Sequence, residues 1–140
     1  MKTIAVIYWS GTGNTEAMAH AVVKGAQSAG ASVRLFEAGQ FGAEDVAKYD
    51  ALAFGCQAMG SEMLEENEFE PMFEACKGEL SGKNIALFGS YGWGDGEWMR
   101  TWEDDRRAAG AVLACGSVIC NDAPDDEATE ACKAVGAALA

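Results

Sequence analysis

Apolar residues collect in short runs that alternate with amphipathic stretches along the whole chain. The runs are almost entirely apolar, which is typical of strands that are covered on both faces of a parallel sheet. Five of them are predicted strands: Thr3–Tyr8, Ser32–Glu37, Ala51–Cys56, Asn84–Gly89 and Ala111–Cys120. Because parallel strands need right-handed crossover connections, the pattern predicts helices on both faces of the sheet.

The stretches between the strands have the periodicity of helices. In the first, Met18, Val22 and Ala26 share one stripe, and Gly30 follows at the position of a C-terminal cap. Three further helices are predicted: one around Phe69, Met72, Phe73 and Cys76 that Gly78 closes, Glu97–Ala109 before Gly110, and Asp125–Leu139. The segment Gly42–Tyr49 has a weaker pattern and predicts a short helix. The whole predicts one α/β domain over residues 1–140, a doubly wound parallel sheet of five strands.

Acidic side chains outnumber basic ones by 22 to 10, which gives a formal net charge of -12. Such a surface repels phosphate backbones and anionic lipid headgroups, so we expect neither a nucleic-acid nor a membrane partner. It favours salt-sensitive association with basic protein partners instead. The sequence has no apolar run of the roughly 18 residues that a membrane span needs and no signal-peptide pattern, so we expect a cytoplasmic location.

Several chemically versatile residues have an ordinary structural interpretation. The cysteines are odd in number, five, and form no C-x-x-C pair, so the pattern predicts no disulfide framework and no metal site. They are expected to be small apolar residues in a reduced compartment. His20 lies on the polar stripe of the first helix and is expected to be exposed, without a role. Trp98 and Trp102 are one helical turn apart and are expected in the core.

The loop after the first strand, Ser10–Thr15, reads S-G-T-G-N-T. Ligands of doubly wound folds bind beyond the carboxyl ends of the strands, which is where this loop lies. Amides at a helix N-terminus and hydroxyl donors can surround a phosphate, and Gly11 and Gly13 let the backbone come close to it. The loop has no lysine or arginine, so uncharged donors would stabilise the anion. The lysine of a P-loop and the third glycine of a dinucleotide-binding motif are both absent. A capped turn without a ligand is the alternative.

Two further loops lie at the same edge, residues 56–62 after the third strand and residues 90–96 after the fourth. Trp93 has a glycine on each side and no large residue nearby in sequence to pack on. Leaving its ring in water loses burial energy of a few kcal/mol, which a planar ligand would recover. A solitary surface tryptophan is the alternative interpretation.

Three motifs in these loops together resemble the short-chain bacterial flavodoxins: Ile7–Glu16, Gly55–Gly60 and Leu87–Gly94. The resemblance covers essentially the whole chain in order and spacing. It implies a flavodoxin-like sheet of strand order 2-1-3-4-5 and a noncovalently bound FMN. It also implies a low-potential one-electron carrier between redox enzymes, monomeric and without substrate turnover, that uses mainly the semiquinone/hydroquinone couple.

The resemblance assigns roles to individual residues. The implied phosphate shell consists of the side chains of Ser10, Thr12, Asn14 and Thr15 and the amides of Gly11 and Gly13. Met59 and Trp93 would cover the two faces of the isoalloxazine ring. The remaining implied cofactor-binding residues are Ala58, Gly60, Ser61, Glu62, Ser90, Tyr91, Gly92, Gly94 and Asn121.

Some of these ring-loop residues have specific implied tasks. The Gly60–Ser61 peptide would turn its carbonyl toward flavin N5 on one-electron reduction, which glycine makes easy because it tolerates positive φ. Glu62 would accept from N3–H, and Asn121 would support the ring-binding loop. Gln57 departs from the family, which has a small residue or proline there, and Ser61 replaces an acidic residue or glycine of some relatives. Both departures leave binding intact.

Acidic residues flank the implied ring site: Glu62, Glu65, Glu66, Asp95 and Glu97. They either repel the anion formed on full reduction, which would lower its potential, or form a solvated face that serves solubility.

Two other classes share this architecture. A nicotinamide-dependent quinone reductase would need a further segment to build its second pocket. A phospho-receiver would need an acceptor aspartate where Gly55 and Cys56 stand and an acidic pair where Trp9 and Ser10 stand. The electron carrier is therefore the leading hypothesis.

Overall fold

The computed structural model describes residues 2–11, 13–58, 64–65, 67–92 and 96–140 of the chain. The strands are β1 (Thr3–Trp9), β2 (Ser32–Glu37), β3 (Ala51–Cys56), β4 (Asn84–Tyr91), β5 (Val112–Leu113) and β6 (Val118–Asn121). The α-helices are α1 (Asn14–Ser28), α2 (Ala43–Val46), α3 (Phe69–Cys76), α4 (Glu97–Ala108) and α5 (Asp126–Leu139). In these described ranges, no helix is both long enough and apolar enough to cross a lipid bilayer.

The strands form one parallel sheet in the order β2-β1-β3-β4-β5, and β6 pairs with β4 as well. This confirms the predicted fold class and strand order. The chain leaves β1 toward β2 on one side and returns to β3 on the other, so the sheet switches direction between β1 and β3. Trp9 and Cys56, the last residues of these two strands, lie opposite each other. The crevice that such folds use for ligands therefore opens directly beyond them.

The prediction of one continuous fifth strand over Ala111–Cys120 is wrong, because the chain there forms β5 and β6 with a break between them. Val112 lies opposite Asn84 and Val118 opposite Phe88. Between these two pairs the edge strand advances by six residues while β4 advances by four. The extra residues form a bulge, which is common at sheet edges. Within it Ser117 Oγ donates to a Glu103 carboxylate oxygen of α4 at 2.6 Å.

Two element ends differ from the prediction. β4 continues past Gly89 to Tyr91 because β6 pairs with it over Phe88–Tyr91. Ser90 and Tyr91 are therefore strand residues, not loop residues. Gly78 does not close α3; the helix continues into a 3₁₀ turn over Lys77–Glu79 that contains it.

The remaining helix predictions hold to within a few residues. Gly30 and Gly110 follow α1 and α4 with φ of 96° and 93°, a conformation that favours glycine. Asp125 caps α5, and its carboxylate accepts from the Ala128 amide. The weak segment 42–49 contains only the four-residue α2.

The core has two layers, one on each face of the sheet. α1 and α5 pack on the face that presents Ile4 and Val6, whereas α2, α3 and α4 pack on the face that presents Ile7 and Phe54. As predicted, Trp98 and Trp102 lie in the second layer, and each is 3% exposed. Cys56, Cys76 and Cys132 are buried, Cys115 and Cys120 are half-buried, and all five are free thiols. His20 is exposed, with its Nε2 3.8 Å from the Glu16 carboxylate.

Candidate functional site

The carboxyl ends of β1, β3 and β4 meet at one edge, and Ser90 of β4 connects them. Its amide donates to Thr15 Oγ1 at 3.3 Å, and its hydroxyl lies 3.4 Å from the same atom. Its carbonyl accepts from the Ala58 amide at 3.0 Å. Ser90 and Thr15 are both buried. Three of the sequence-predicted site residues, one from each of the three motif segments, therefore form one hydrogen-bonded cluster: Thr15 in α1, Ala58 after β3 and Ser90 in β4.

The first loop turns sharply into α1. Gly13 has φ of 92°, the left-handed region that glycine enters at little cost, and no side-chain hydrogen bond caps the helix there. The Gly13 amide donates to Ser10 Oγ at 3.0 Å. Gly11 lies under the ring of Trp9, where a Cβ would come within 3.0 Å of Trp9 Cη2. The described residues of this loop are thus brought together around the start of a fifteen-residue helix.

Gln57 links the first loop to the second. Its Oε1 accepts from the Gly11 amide at 2.9 Å. The sequence marked Gln57 only as a departure from a family pattern, since nothing in the order of residues indicates which loop a flexible side chain will reach. In the folded chain it joins the end of β3 to the turn after β1.

Several predicted site residues lie outside the described residues: Thr12, Met59, Gly60, Ser61, Glu62, Trp93 and Gly94. Of the others, Asn14 is the half-buried first residue of α1, and Ala58 is half-buried beside β4. Tyr91 is also half-buried, with its ring centroid 5.6 Å from that of Trp98. Gly92 is exposed.

Asn121 ends β6 opposite Tyr91, so the sheet brings it to the same edge. The next residue, Asp122, was missed. It is the one non-glycine residue with positive φ, 56°, in the part of the chain that the structure describes, and its amide donates to the Tyr91 carbonyl at 2.8 Å. The Asn-Asp pair after a strand was the available signal, because both residues tolerate this conformation.

Glu65 has a different role from the two predicted for the flanking acids, which were to repel the anion formed on full reduction or to form a solvated face. It is only 4% exposed, and its carboxylate accepts from the amides of Asn67, Glu68 and Phe69 at 2.7–2.9 Å. Burial favours the neutral acid, but the three amides outweigh it and hold the pKa of Glu65 below its ordinary value. Glu65 therefore anchors the start of α3. Glu62, Glu66 and Asp95 lie outside the described residues, and Glu97 is exposed at the start of α4.

Two further titratable groups at this edge stay neutral near pH 7. Burial raises the pKa of the Cys56 thiol to about 12. Burial, and then the charges of Glu16 and Glu37, raise the pKa of Tyr8, whose hydroxyl donates to Glu16 Oε2 at 3.3 Å. Cys56 and Tyr8 therefore supply neither a thiolate nor a phenolate at this edge near neutral pH.

Comparison with known proteins identifies the architecture and the motifs. The family model described as flavodoxin matches residues 6–135. The chain is 44% identical to the flavodoxin of Clostridium beijerinckii over 135 residues, which are 96% of this chain and 97% of the relative. It is 44% identical to the flavodoxin of Megasphaera elsdenii over 98% of each chain. The solution structure of the two-electron reduced Megasphaera elsdenii flavodoxin superposes with a TM-score of 0.90 at 45% identity, covering 97% of both chains.

The chain belongs to the flavodoxin family. FMN is the cofactor of flavodoxins, and electron transfer is their function. The described residues fit this group: hydroxyls, amides and a helix N-terminus suit a phosphate, and the space beside Gly13 is open, since a Cβ there would meet nothing within 4 Å. When bound, FMN supplies the redox chemistry, and the chain supplies binding, orientation and electrostatics.

Proposed function

We propose that this flavodoxin is a low-potential one-electron carrier that uses mainly the semiquinone/hydroquinone couple of its FMN and turns over no substrate of its own. The observation that carries the proposal is the cluster around Ser90, which joins the start of α1, the residues after β3 and the end of β4 beside the switch point of the sheet. In a chain 44% identical to flavodoxins over nearly its full length, this arrangement is best explained by an FMN site.

In this proposal the phosphate lies in the first loop. Its shell consists of the side chains of Ser10, Thr12, Asn14 and Thr15 and the amides of Gly11 and Gly13. The start of α1 supports this assignment, because a fifteen-residue helix places partial positive charge where the loop turns. Two hydrogen bonds must rearrange on binding if both glycine amides are to reach the phosphate, from Gly11 to Gln57 and from Gly13 to Ser10.

The isoalloxazine ring lies between Met59 and Trp93, which cover its two faces. The Gly60–Ser61 peptide and Glu62 bind the ring edge, and Asn121 supports the adjoining loop. The other contacts come from Ala58, Ser90, Tyr91, Gly92 and Gly94. The positions of Ala58, Tyr91 and Asn121 at one edge of the sheet support this placement.

The charge of the chain favours a low potential for the second electron. A fully reduced flavin carries an added negative charge, and it would acquire it inside a protein of formal net charge -12. A single charge about 10 Å away contributes only roughly 0.4 kcal/mol in water, so the effect requires several acids acting together. We infer that the partners are redox proteins with basic docking surfaces, and that the chain acts as a monomer built from one domain over residues 1–140. A cytoplasmic location stays a prediction from the sequence.

An anaerobic reductive titration of the FMN-loaded protein, followed by visible absorption, tests this proposal. We expect the yellow protein to pass through a long-lived blue, one-electron-reduced form before it bleaches. A direct bleach without that form would contradict a one-electron carrier. The same preparation should not sustain NADPH oxidation by itself; sustained turnover would identify a flavin enzyme.

A further inference from the structure

We propose that Trp98 and Glu65 are positioning residues, which fix the ends of β3 and β4 and the starts of α3 and α4 relative to one another through Cys56. We call the segments that leave these ends, residues 57–64 and 92–96, the ring loops, and we call Cys56, Glu65 and Trp98 the loop junction. The assignment rests on the proposed function, since it concerns the loops that bind the flavin ring.

Trp98 joins the second ring loop to β3. It is the second residue of α4, directly after that loop, and its indole N–H donates to the Cys56 carbonyl at 3.3 Å. Cys56 is the last residue of β3 and is completely buried. The Trp98 ring also packs against Tyr91 at the end of β4, with ring centroids 5.6 Å apart. One side chain thus contacts the end of both strands from which the ring loops leave.

Glu65 closes the first ring loop on the same residue. Its amide donates to Cys56 Sγ at 3.4 Å, so the chain that leaves β3 at Cys56 returns to it nine residues later. The Glu65 carboxylate then fixes the start of α3 through three backbone amides. The raised pKa of Cys56 keeps its sulfur a neutral thiol, which donates to the Gln57 carbonyl at 3.4 Å while accepting from Glu65.

The Cys56 carbonyl packs closely against the backbone of β4. A Cβ built on Gly89 would lie 2.2 Å from that carbonyl oxygen and 3.3 Å from Trp98 Cζ2. Gly89 therefore admits the carbonyl between β4 and the indole ring. Because this packing is tight, a shift of Trp98 moves Cys56, and a shift of Cys56 moves both ends of the first ring loop.

The junction lies at the base of the ring loops, and among the described residues none of the hydrogen bonds of Cys56, Glu65 and Trp98 given above reaches the first loop directly. A substitution that breaks these contacts should therefore weaken the interactions with the flavin ring and leave those with the phosphate unchanged. FMN and riboflavin share the ring but differ in the phosphate. A defect at the junction should lower the affinity for both by the same factor.

The chain provides a matched pair for the test. Trp98→Phe removes an indole N–H with a partner, whereas Trp102→Phe removes the same atoms one turn along α4, where Nε1 has no partner among the described residues. Both tryptophans are 3% exposed. The dissociation constants of FMN and riboflavin and the two one-electron midpoint potentials would be measured for each variant and the wild type. Relative to Trp102→Phe, we expect Trp98→Phe to bind both flavins about fivefold more weakly, equivalent to about 1 kcal/mol, and to shift at least one potential.

A second pair keeps the test decisive if Trp98→Phe folds poorly. Glu65→Gln removes the buried charge at the junction, and Glu68→Gln removes an exposed charge three residues away. The first should weaken both flavins equally, and the second should change neither. Variants that lose apoprotein stability but keep both affinities and both potentials would overturn the assignment and leave the proposed function intact. A wild-type chain that binds no flavin would overturn both.

Discussion

The two helical layers hold the same sheet by different means. α1 and α5 meet backbone to backbone: a Cβ on Gly25 would lie 1.9 Å from the Lys133 carbonyl oxygen, and one on Gly136 would lie 2.1 Å from that of Val22. α3 and α4 meet through aromatic rings, with Trp102 edge-on to Phe69 at 5.4 Å between centroids. At these two glycines the first layer has no room for an added carbon atom.

The second layer contains buried polar groups as well as packed rings. Arg106 is completely buried; its Nη2 donates to the Asp105 carboxylate, and its Cζ lies 4.9 Å from the centroid of the Phe73 ring. Within the described residues, its Nε and Nη1 and the Trp102 Nε1 have no hydrogen-bond partner. Glu65 and Trp98 lie in the same layer, and both form hydrogen bonds with Cys56 at the base of the ring loops. The α1–α5 contact thus depends on close backbone packing, whereas the α3–α4 layer contains buried polar groups, two of which contact the base of the ring loops.

The largest effect is expected in the α1–α5 layer. Gly25→Ala places a methyl group against the backbone of α5, which cannot move aside as a side chain would. We expect the free energy of unfolding to fall by about 3 kcal/mol, despite the better helix propensity of alanine. Chemical denaturation measures this. Gly78→Ala is the control, since its Cβ meets nothing within 4 Å and should change the stability little. Equal stabilities for the two variants would refute the contact.

Arg106→Met in the second layer is expected to raise the stability, whereas Gly25→Ala in the first layer is expected to lower it. It removes a buried cation with two unpartnered nitrogens and leaves Asp105, whose side chain is half exposed, free to hydrate. Replacing such a group by an apolar one of similar length should raise the free energy of unfolding by about 2 kcal/mol. The exposed neighbour supplies the control, because Arg107→Met should have almost no effect. Destabilisation by Arg106→Met would show that the guanidinium is a net stabilising group.

A smaller effect is expected from the pH dependence of Glu65. Because its pKa is lowered in the folded chain, its ionised form stabilises the fold above its unfolded pKa, and this contribution disappears as the pH falls through the folded value. At pH 7, Glu65→Gln should lower the unfolding free energy by about 1 kcal/mol, through weaker hydrogen bonds to the amides of α3. The stability curves of variant and wild type should converge as the pH falls from the ordinary glutamate pKa, about 4.3, through the lower pKa of the folded chain. Parallel curves across this range would mean that Glu65 is not the group that titrates.

Local patterns predicted the sheet and most of its helices, because they are encoded by neighbours in sequence. Ser32–Glu37 and Ala51–Cys56 were predicted to the residue, and Gly30 and Gly110 end their helices as expected. The break in the fifth strand was missed because it depends on register against β4, which sequence spacing does not reveal. The extension of β4 to Tyr91 was missed for the same reason.

Among the site residues, too, those that act through sequence neighbours could be predicted, and those that act on distant segments could not. The first loop could be recognised as a candidate phosphate site because its donors are contiguous and precede a helix. The sequence could not show the roles of Gln57, Glu65 and Trp98, because each forms a hydrogen bond with another segment. Gln57 bonds the Gly11 amide, Glu65 bonds amides at the start of α3, and Trp98 bonds the Cys56 carbonyl. A tryptophan at core spacing and an acid in an acidic stretch look ordinary until the fold brings them to a shared neighbour.

The affinity of the wild-type apoprotein for FMN compared with riboflavin tests the central claim, that uncharged donors at the start of α1 bind the phosphate. A chain of formal net charge -12 has no long-range attraction for a dianion, so any preference for FMN must come from local hydrogen bonds. Two such bonds to a charged group contribute about 3 kcal/mol, so we predict that FMN binds at least about a hundredfold more tightly than riboflavin. Equal dissociation constants would contradict the account.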